Sequence, residues 1–145
     1  MANKVSTVIT ALMTGLQGLV TAGTLRGVAR GVYNPVSADE ATLPRAAVMV
    51  GDLRPESGPP GGETWKATVY VYVTTLSSAA AKDLTLLDLV SAVNTILATV
   101  RAGGASGGAF LSTHWEVYPF RDTADPEPLQ AVCAVQVRID GGLAA

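Results

Sequence analysis

The segment Trp65–Thr75 (WKATVYVYVTT) constrains the fold of this chain more than any other part of it. It is rich in β-branched and aromatic residues, which favour a strand. One set of alternate positions is apolar or small, and the other set is Lys66, Thr68, Tyr70, Tyr72 and Thr74. Because successive side chains of a strand point to opposite faces, the pattern predicts a sheet with one buried face. The second face is semi-polar and aromatic, which is typical of a surface that meets a partner.

A first helix is predicted from about residue 4 to residue 20, with Gly23 in its C-cap region. The uncharged stretch Val5–Leu25 is long enough to span a bilayer by length alone. Its polar residues, however, recur three or four apart and form one stripe: Thr7, Thr10, Thr14, Gln17 and Thr21. Apolar residues form the opposite stripe, which indicates an amphipathic helix packed on a soluble core. We therefore expect neither membrane insertion nor a secretion signal.

The remaining elements complete the order α-β-β-β-α-β-β. Strands are predicted at Leu25–Tyr33, Leu43–Val50, Phe110–Phe120 and Leu129–Ile139. A second helix is predicted to begin at a sequence that resembles a capping box, Thr85 with Asp88, and to end near Arg101. The chain, residues 1–145, is expected to form a single α+β domain. Its small, antiparallel-dominated mixed sheet has four to five strands, and the two helices pack on it.

The segment Gly51–Thr64 is predicted to be a long loop between two strands. Seven of its fourteen residues are glycine or proline, and Leu53 is its only large apolar residue. Such a segment buries too little surface to offset its loss of conformational entropy. We expect it to protrude as a poorly ordered arm and to become ordered on docking.

Composition narrows the classes of function. Ten basic and twelve acidic residues give a net charge of −2, and no Lys/Arg cluster offers a grip on a nucleic-acid backbone. The single cysteine, Cys133, excludes an intramolecular disulfide and any multi-cysteine metal site. It lies on the apolar face of its strand, so we expect a buried, unreactive thiol. Hydrophobic residues make up 48% and charged residues 15%, which favours burial of surface between subunits.

The chemistry-bearing motifs are weak. Ser106 lies in a segment, GASGG, that matches the pattern G-x-S-x-G of a nucleophile elbow. A nucleophile elbow requires the serine on a turn from a strand into a helix, whereas Ser106 follows a helix, in a glycine-rich connector. His114 has no second histidine or cysteine nearby, and the acidic turn with Asp122 and Asp125 lacks calcium-loop spacing. Tryptophans on good strands more often belong to a core or an interface than to a ligand site. We therefore predict no catalytic residue, no cofactor and no metal site, and hence not an enzyme.

The layout of the whole chain resembles the tail terminator proteins of long-tailed bacteriophages and related gene-transfer particles. An N-terminal amphipathic helix leads into LRGVARGVY (residues 25–33), an acidic loop and LPRAAVMV (residues 43–50) followed by Gly51-Asp52. A Gly/Pro segment, an alternating Val/Tyr strand, a long helix and two closing strands follow. The resemblance implies a structural virion protein that forms a ring, a homo-hexamer, on the tail tube. Such a ring ends tail polymerisation and provides the surface for head joining.

The partners that the resemblance implies are other copies of the chain, the tail tube protein and a neck or head-completion protein. The implied location is the head-proximal end of the virion tail, after assembly in the host cytoplasm. Specific nucleic-acid binding and a membrane are not expected. The candidate interface residues are Pro44, Leu53, Arg54, Glu56, Lys66, Tyr70 and Tyr72. The alternatives are a neck or tail-tube subunit of the same particle, or a small α+β ligand-binding domain or enzyme.

Overall fold

The computed structural model describes residues 3–31, 44–77, 82–103, 109–117 and 127–144. The elements are α1 (Lys4–Thr21), β1 (Gly27–Arg30), β2 (Arg45–Ser57), β3 (Thr64–Ser77), α2 (Lys82–Gly103), β4 (Ala109–Val117) and β5 (Glu127–Ile139). The strands form one sheet in the order β1-β2-β3-β5-β4. β1 runs parallel to β2, and all other neighbours are antiparallel. The predicted α+β class, element order and mixed sheet with two helices are therefore confirmed.

The core lies between one face of the sheet and the two helices. Val69, Val71 and Val73 of β3 are fully buried, together with the facing positions of β2 and β5. The apolar stripes of α1 and α2 cover them and belong to the same cluster. The alternation predicted for the β3 segment therefore determines which face of the sheet is buried under the helices.

Local sequence signals define both ends of α1. The Asn3 side chain caps the helix, since its Oδ1 accepts a hydrogen bond from the Ser6 N–H at 2.8 Å. At the other end Gly23 adopts φ +83°, and the N–H groups of Gly23 and Thr24 donate to the carbonyls of Val20 and Leu19. This pair of bonds is a Schellman motif, which confirms Gly23 in the C-cap region. Among the helices that the structure describes, none is long and apolar enough to cross a membrane.

A glycine allows the two helices to cross closely. A Cβ atom at Gly15 would lie 2.6 Å from Cγ2 of Ile96 in α2, which is closer than two carbon atoms can approach. Gly18, one turn later on α1, has no neighbour within 4 Å. The α1–α2 contact therefore depends on the missing side chain at Gly15, whereas Gly18 is free of packing constraints.

The predicted loop at Gly51–Thr64 is wrong in most of its length. β2 continues to Ser57 and β3 begins at Thr64, so only residues 58–63 connect the two strands. Two register shifts, between Val50 and Asp52 and between Pro55 and Ser57, let β2 follow β3 through Gly51 and Pro55. The connection itself is a tight turn in which Gly62 N–H donates to the Pro59 carbonyl at 2.9 Å. Pairing with a strong neighbouring strand has overridden the low strand propensity of this segment.

Other boundaries shift by a few residues. α2 begins at Lys82, so Thr85 lies inside the helix, and the predicted capping box at Thr85 is wrong. The connector predicted over residues 102–108 loses its first two residues to α2 and its remainder lies outside the described residues. Ser106, Asp122 and Asp125 also lie outside the described residues, as do the last residues predicted for the strands before Asn34 and at Phe120.

The C-terminal segment returns to the start of α1. The Lys4 N–H donates to the Leu143 carbonyl at 2.8 Å, and Asn3 forms an isolated antiparallel bridge with Ala144. The Lys4 ammonium donates to the Asp140 carbonyl at 2.6 Å. We call this set of contacts the terminal clasp. It holds Leu143 beside α1, where it lines the groove described below.

The glycines of α1 provide a matched pair of substitutions. Gly18→Ala should raise the free energy of unfolding by about 0.5–1 kcal/mol, since alanine favours a helix interior. Gly15→Ala gains the same propensity but forces its new methyl group into Ile96, at a typical overpacking cost of about 1–3 kcal/mol. We expect Gly15→Ala to be clearly less stable than Gly18→Ala in urea unfolding followed by circular dichroism. Equal stabilisation by both substitutions would contradict the close crossing.

Candidate interaction surfaces

The sheet has a second face that is opposite the helices, and we call it the outer face. It carries Lys66, Thr68, Tyr70, Tyr72 and Thr74 of β3 and their cross-strand neighbours on β2, β5 and β4. In the parts of the chain that the structure describes, both helices pack on the opposite face. The semi-polar aromatic face predicted for this strand therefore extends across four strands, with Thr74 at one end of it buried.

Two tyrosines form the centre of the outer face. The rings of Tyr70 and Tyr72 are half-buried, and their centroids are 6.3 Å apart. The Tyr72 hydroxyl donates to the Met49 sulfur at 3.9 Å. Tyr72 lies between Ala47 and Val132 in the register, and both of these neighbours are buried. Large rings beside short apolar side chains give this centre the aromatic, uncharged character of an interface core.

Gly51 is part of the same centre. A Cβ atom at Gly51 would overlap Cε2 of Tyr70, so the ring occupies the space of the missing side chain at the first register shift of β2. Gly51 itself remains exposed to solvent, and the close contact fixes the orientation of the ring. The sequence analysis missed this role because it placed Gly51 in a loop.

One end of the outer face carries a row of three cations. Arg54, Lys66 and Arg138 are direct cross-strand partners on β2, β3 and β5. Like charges in such positions repel each other. Each cation has its own carboxylate: Arg54 Nε lies 2.8 Å from Asp52, Lys66 Nζ 3.0 Å from Glu56 and Arg138 Nε 3.0 Å from Asp140. We call these six residues the ionic row, and its formal charge is zero.

The pair at β5 is the best-defined part of the ionic row. The Arg138 hydrogen bonds lower the pKa of the Asp140 carboxyl, and Thr64 and Lys4 act in the same direction. The Asp140 carboxylate in turn raises the pKa of Arg138. Both groups are solvent-exposed, and exposed pairs contribute little to stability. The ionic row is therefore better suited to selecting a partner than to holding the fold together.

The structure places the seven predicted interface residues in three different regions of the domain. Five belong to the outer face, in its aromatic centre or in the ionic row: Arg54, Glu56, Lys66, Tyr70 and Tyr72. Leu53 pairs with Ala67 and so points to the helix side of the same hairpin. Pro44 precedes β2 at its opposite end, where its carbonyl accepts the Arg26 N–H at 2.8 Å.

Leu53 lies in a groove between α1 and the far half of β2. The groove has a volume of about 1100 Å³. Its apolar lining includes Ile9 and Met13 of α1, Val50 and Leu53 of β2, and Leu143 of the terminal clasp. Within the described residues, β1 pairs with β2 up to Val48, and the part of β2 that follows Val48 borders the groove. No local sequence signal reports that difference in strand length, so the groove was not predicted.

The residues with catalytic potential do not assemble in the described part of the chain. The His114 and Glu116 side chains are largely exposed on β4, with 3.8 Å between the imidazole and the carboxylate. No group of three His, Cys, Asp or Glu side chains among the described residues could hold a metal ion. Trp115 packs against the core, and its ring N–H donates to Asn94 of α2 at 3.1 Å. Trp65 also packs against the core, as predicted.

Cys133 is fully buried on the core face of β5, as predicted. Burial raises the pKa of its thiol to about 11, although a backbone hydrogen bond with His114 acts the other way. Because the pKa in the unfolded chain is near 9.0, the thiol stays protonated on folding. Its contribution to stability is complete below pH 9.0 and falls as the pH rises towards 11.

We expect the native chain to resist maleimide at pH 7.5, because the thiolate is the reactive form and Cys133 is inaccessible. Labelling in denaturant should be more than about 100-fold faster, since two pKa units alone change the thiolate fraction by about that factor. Mass spectrometry at timed intervals measures both rates. Rapid labelling of the native chain would show that β5 opens readily, contrary to its position inside the sheet.

Comparison with known proteins provides no assignment for this surface. No protein-family model matches the chain, and no curated protein matches it. Its function must therefore be inferred from its own residues, from the outer face with its ionic row, and from the groove beside α1.

Proposed function

We propose that this chain is a structural subunit of a phage-like tail. In this proposal it forms a homo-oligomeric ring, with six copies as the expected number, at the head-proximal end of the tail tube. The ring stops tube polymerisation and provides the surface to which a neck or head-completion protein attaches. The observation that carries the proposal is the outer face, an aromatic centre with a charge-balanced row at one end.

The outer face has the organisation of a protein interface. Its centre combines half-buried Tyr70 and Tyr72 with buried Ala47 and Val132. Charged residues lie around this centre: the ionic row at one end of the face, Arg45 beside Thr74 at the other end, and Glu116 of β4 beside Val132. Interfaces typically surround an aromatic, charge-poor core with a polar rim. A sheet face of this composition suits a protein partner, whereas a small substrate needs a concave site with converging polar groups.

The exposed side of α1 supports a second contact surface. From Val5 to Leu25 there is no charged residue, and the exposed positions of the helix are mainly threonine, glutamine and glycine. Exposed helices usually carry charges, whereas interface cores are depleted of them. A subunit of a stacked ring needs contacts to its neighbours in the ring and to the layers above and below. Two separate low-charge surfaces on one small domain meet that requirement.

The alternatives within the same particle are a neck or head-completion protein and a tail-tube subunit. They differ from the proposal in assembly behaviour. A tube subunit polymerises into long tubes, whereas a terminator forms discrete rings that limit the length of tubes made by another protein. A neck protein joins the finished tail and leaves tube length unchanged. The proposal includes the tube protein and the neck or head-completion protein as partners, a location at the head-proximal end of the tail, and a structural role without catalysis.

The proposal is tested by adding the purified chain to polymerising tube protein from its own particle. We expect native mass spectrometry to show a discrete ring and electron microscopy to show shorter tubes as the chain is added. Long tubes made of the chain itself would favour the tube-subunit alternative. Unchanged tube lengths would overturn the terminator function, and binding to finished tails would then favour a neck role.

Lys66→Glu tests the outer face in the same assay. The Lys66 side chain is 48% exposed, and the substitution replaces its ion pair with Glu56 by two like charges and removes the central cation of the ionic row. We expect the ring mass to be unchanged and either tube capping or head joining to need at least about tenfold more protein, which is about 1.4 kcal/mol. Thr99→Glu, at an exposed position of α2 on the opposite side of the sheet, is the control. Equal behaviour of the two variants would remove the outer face from the proposal.

A further inference from the structure

Two large hydrophobic side chains stand out as exposed among the described residues, and they lie on different elements. Leu53 of β2 is 37% exposed and Leu87 of α2 is 48% exposed. Leu53 lines the groove beside α1. Leu87 precedes Asp88, which is also exposed, so an apolar side chain and a carboxylate project from one turn of α2.

The groove and Leu87 lie on opposite sides of the domain. Leu87 and Asn94 are seven residues apart, so they share one side of α2. Asn94 accepts the hydrogen bond from Trp115, which places that side of α2 towards β4. Ile96, two residues from Asn94 and so on the other side of the helix, meets Gly15 of α1. The sheet order places β4 at one edge and the pair β1–β2, where the groove lies, at the other.

The two patches are complementary in character. The groove lining is mostly apolar or hydroxyl-bearing, and the charged residue among its lining residues is Arg30. Arg30 is exposed, and its Nη1 donates to the Val48 carbonyl at 3.3 Å. Leu87 provides an apolar group for the groove, and Asp88 provides the opposite charge for Arg30.

We propose that the groove is filled by a second copy of this chain. Leu87 of one copy enters the groove of the next, and its Asp88 meets Arg30. Such a contact joins two different patches, so it is heterologous, and it generates a ring when the rotation from one copy to the next closes around an axis. The inference rests on the proposed function and specifies which surfaces join neighbours within the ring, leaving the outer face for other partners.

Two single substitutions test the contact from its two sides. Thr10→Glu adds a carboxylate at an exposed helix position that lines the groove, where it repels Asp88. Leu87→Glu removes the apolar group on the other side. The controls are Gln17→Glu on α1, two turns after Thr10 and outside the lining of the groove, and Thr99→Glu on α2; both positions are exposed. We expect each test variant to be monomeric at concentrations at least tenfold above those at which the controls form rings, with unchanged circular dichroism.

Mixing the two variants distinguishes a heterologous contact from other kinds. Thr10→Glu keeps an intact Leu87 patch, and Leu87→Glu keeps an intact groove, so a 1:1 mixture has one functional contact. We expect a discrete heterodimer by native mass spectrometry and no ring. A mixture that stays monomeric would overturn the proposed pairing of these two patches.

A charge exchange tests the ion pair. Arg30→Asp and Asp88→Arg should each weaken ring formation, and the double variant should restore it. Rings that persist in the Thr10→Glu and Leu87→Glu variants would overturn this inference while leaving the proposed ring function intact. A wild-type chain that is monomeric at all concentrations would instead overturn both. The two failures are therefore distinguishable.

Discussion

The fold depends on β3, which pairs along nearly its whole length with both β2 and β5. The pairs run from Trp65 to Ser77 on the β5 side and from Thr64 to Thr74 on the β2 side. A central strand of this kind has backbone partners on both sides along most of its length, and it places Val69, Val71 and Val73 under the helices. The alternate residues are thereby forced outward. The core and the outer face are consequences of one strand's periodicity, so a shift in its register would exchange them.

The regular parts of the fold were predictable because periodicity reports burial directly. The stripes of α1 and α2 and the alternation of β3 and β5 each identified the buried side. The prediction was wrong where a segment of low strand propensity, the second half of β2, pairs with β3, a strand of high propensity. Gly51 and Pro55 mark a loop by propensity, yet β3 supplies a full set of partners, and two irregularities in β2 absorb the poor fit. The predicted start of α2 at Thr85 was wrong for a different reason, since a single plausible capping residue does not decide where a helix begins.

The candidate surfaces were only partly predictable. The alternation in β3 was sufficient to place Lys66, Tyr70 and Tyr72 on one face. The ionic row required the register between three strands, which brings Arg54 and Arg138 beside Lys66 from distant parts of the chain. The groove depends on the different extents of β1 and β2. Leu53 was singled out as the only large apolar residue of a predicted loop, whereas the structure places it in β2. Sequence patterns thus identified faces of elements, whereas sites formed between elements depended on the tertiary arrangement.

The terminal clasp makes the chain suitable for circular permutation. Since Asn3 and Ala144 are bridged, a short linker could join them and the chain could be reopened at the turn around Gly58–Gly62. Circular permutation of this kind is tolerated when the two residues to be joined are adjacent and at the surface. The new ends would then leave the domain from the β2–β3 hairpin. That turn lies against the terminal clasp, because the Gly142 N–H donates to the Glu63 carbonyl at 2.8 Å. Fusion partners attached there would therefore emerge on the same side of the domain as the start of α1.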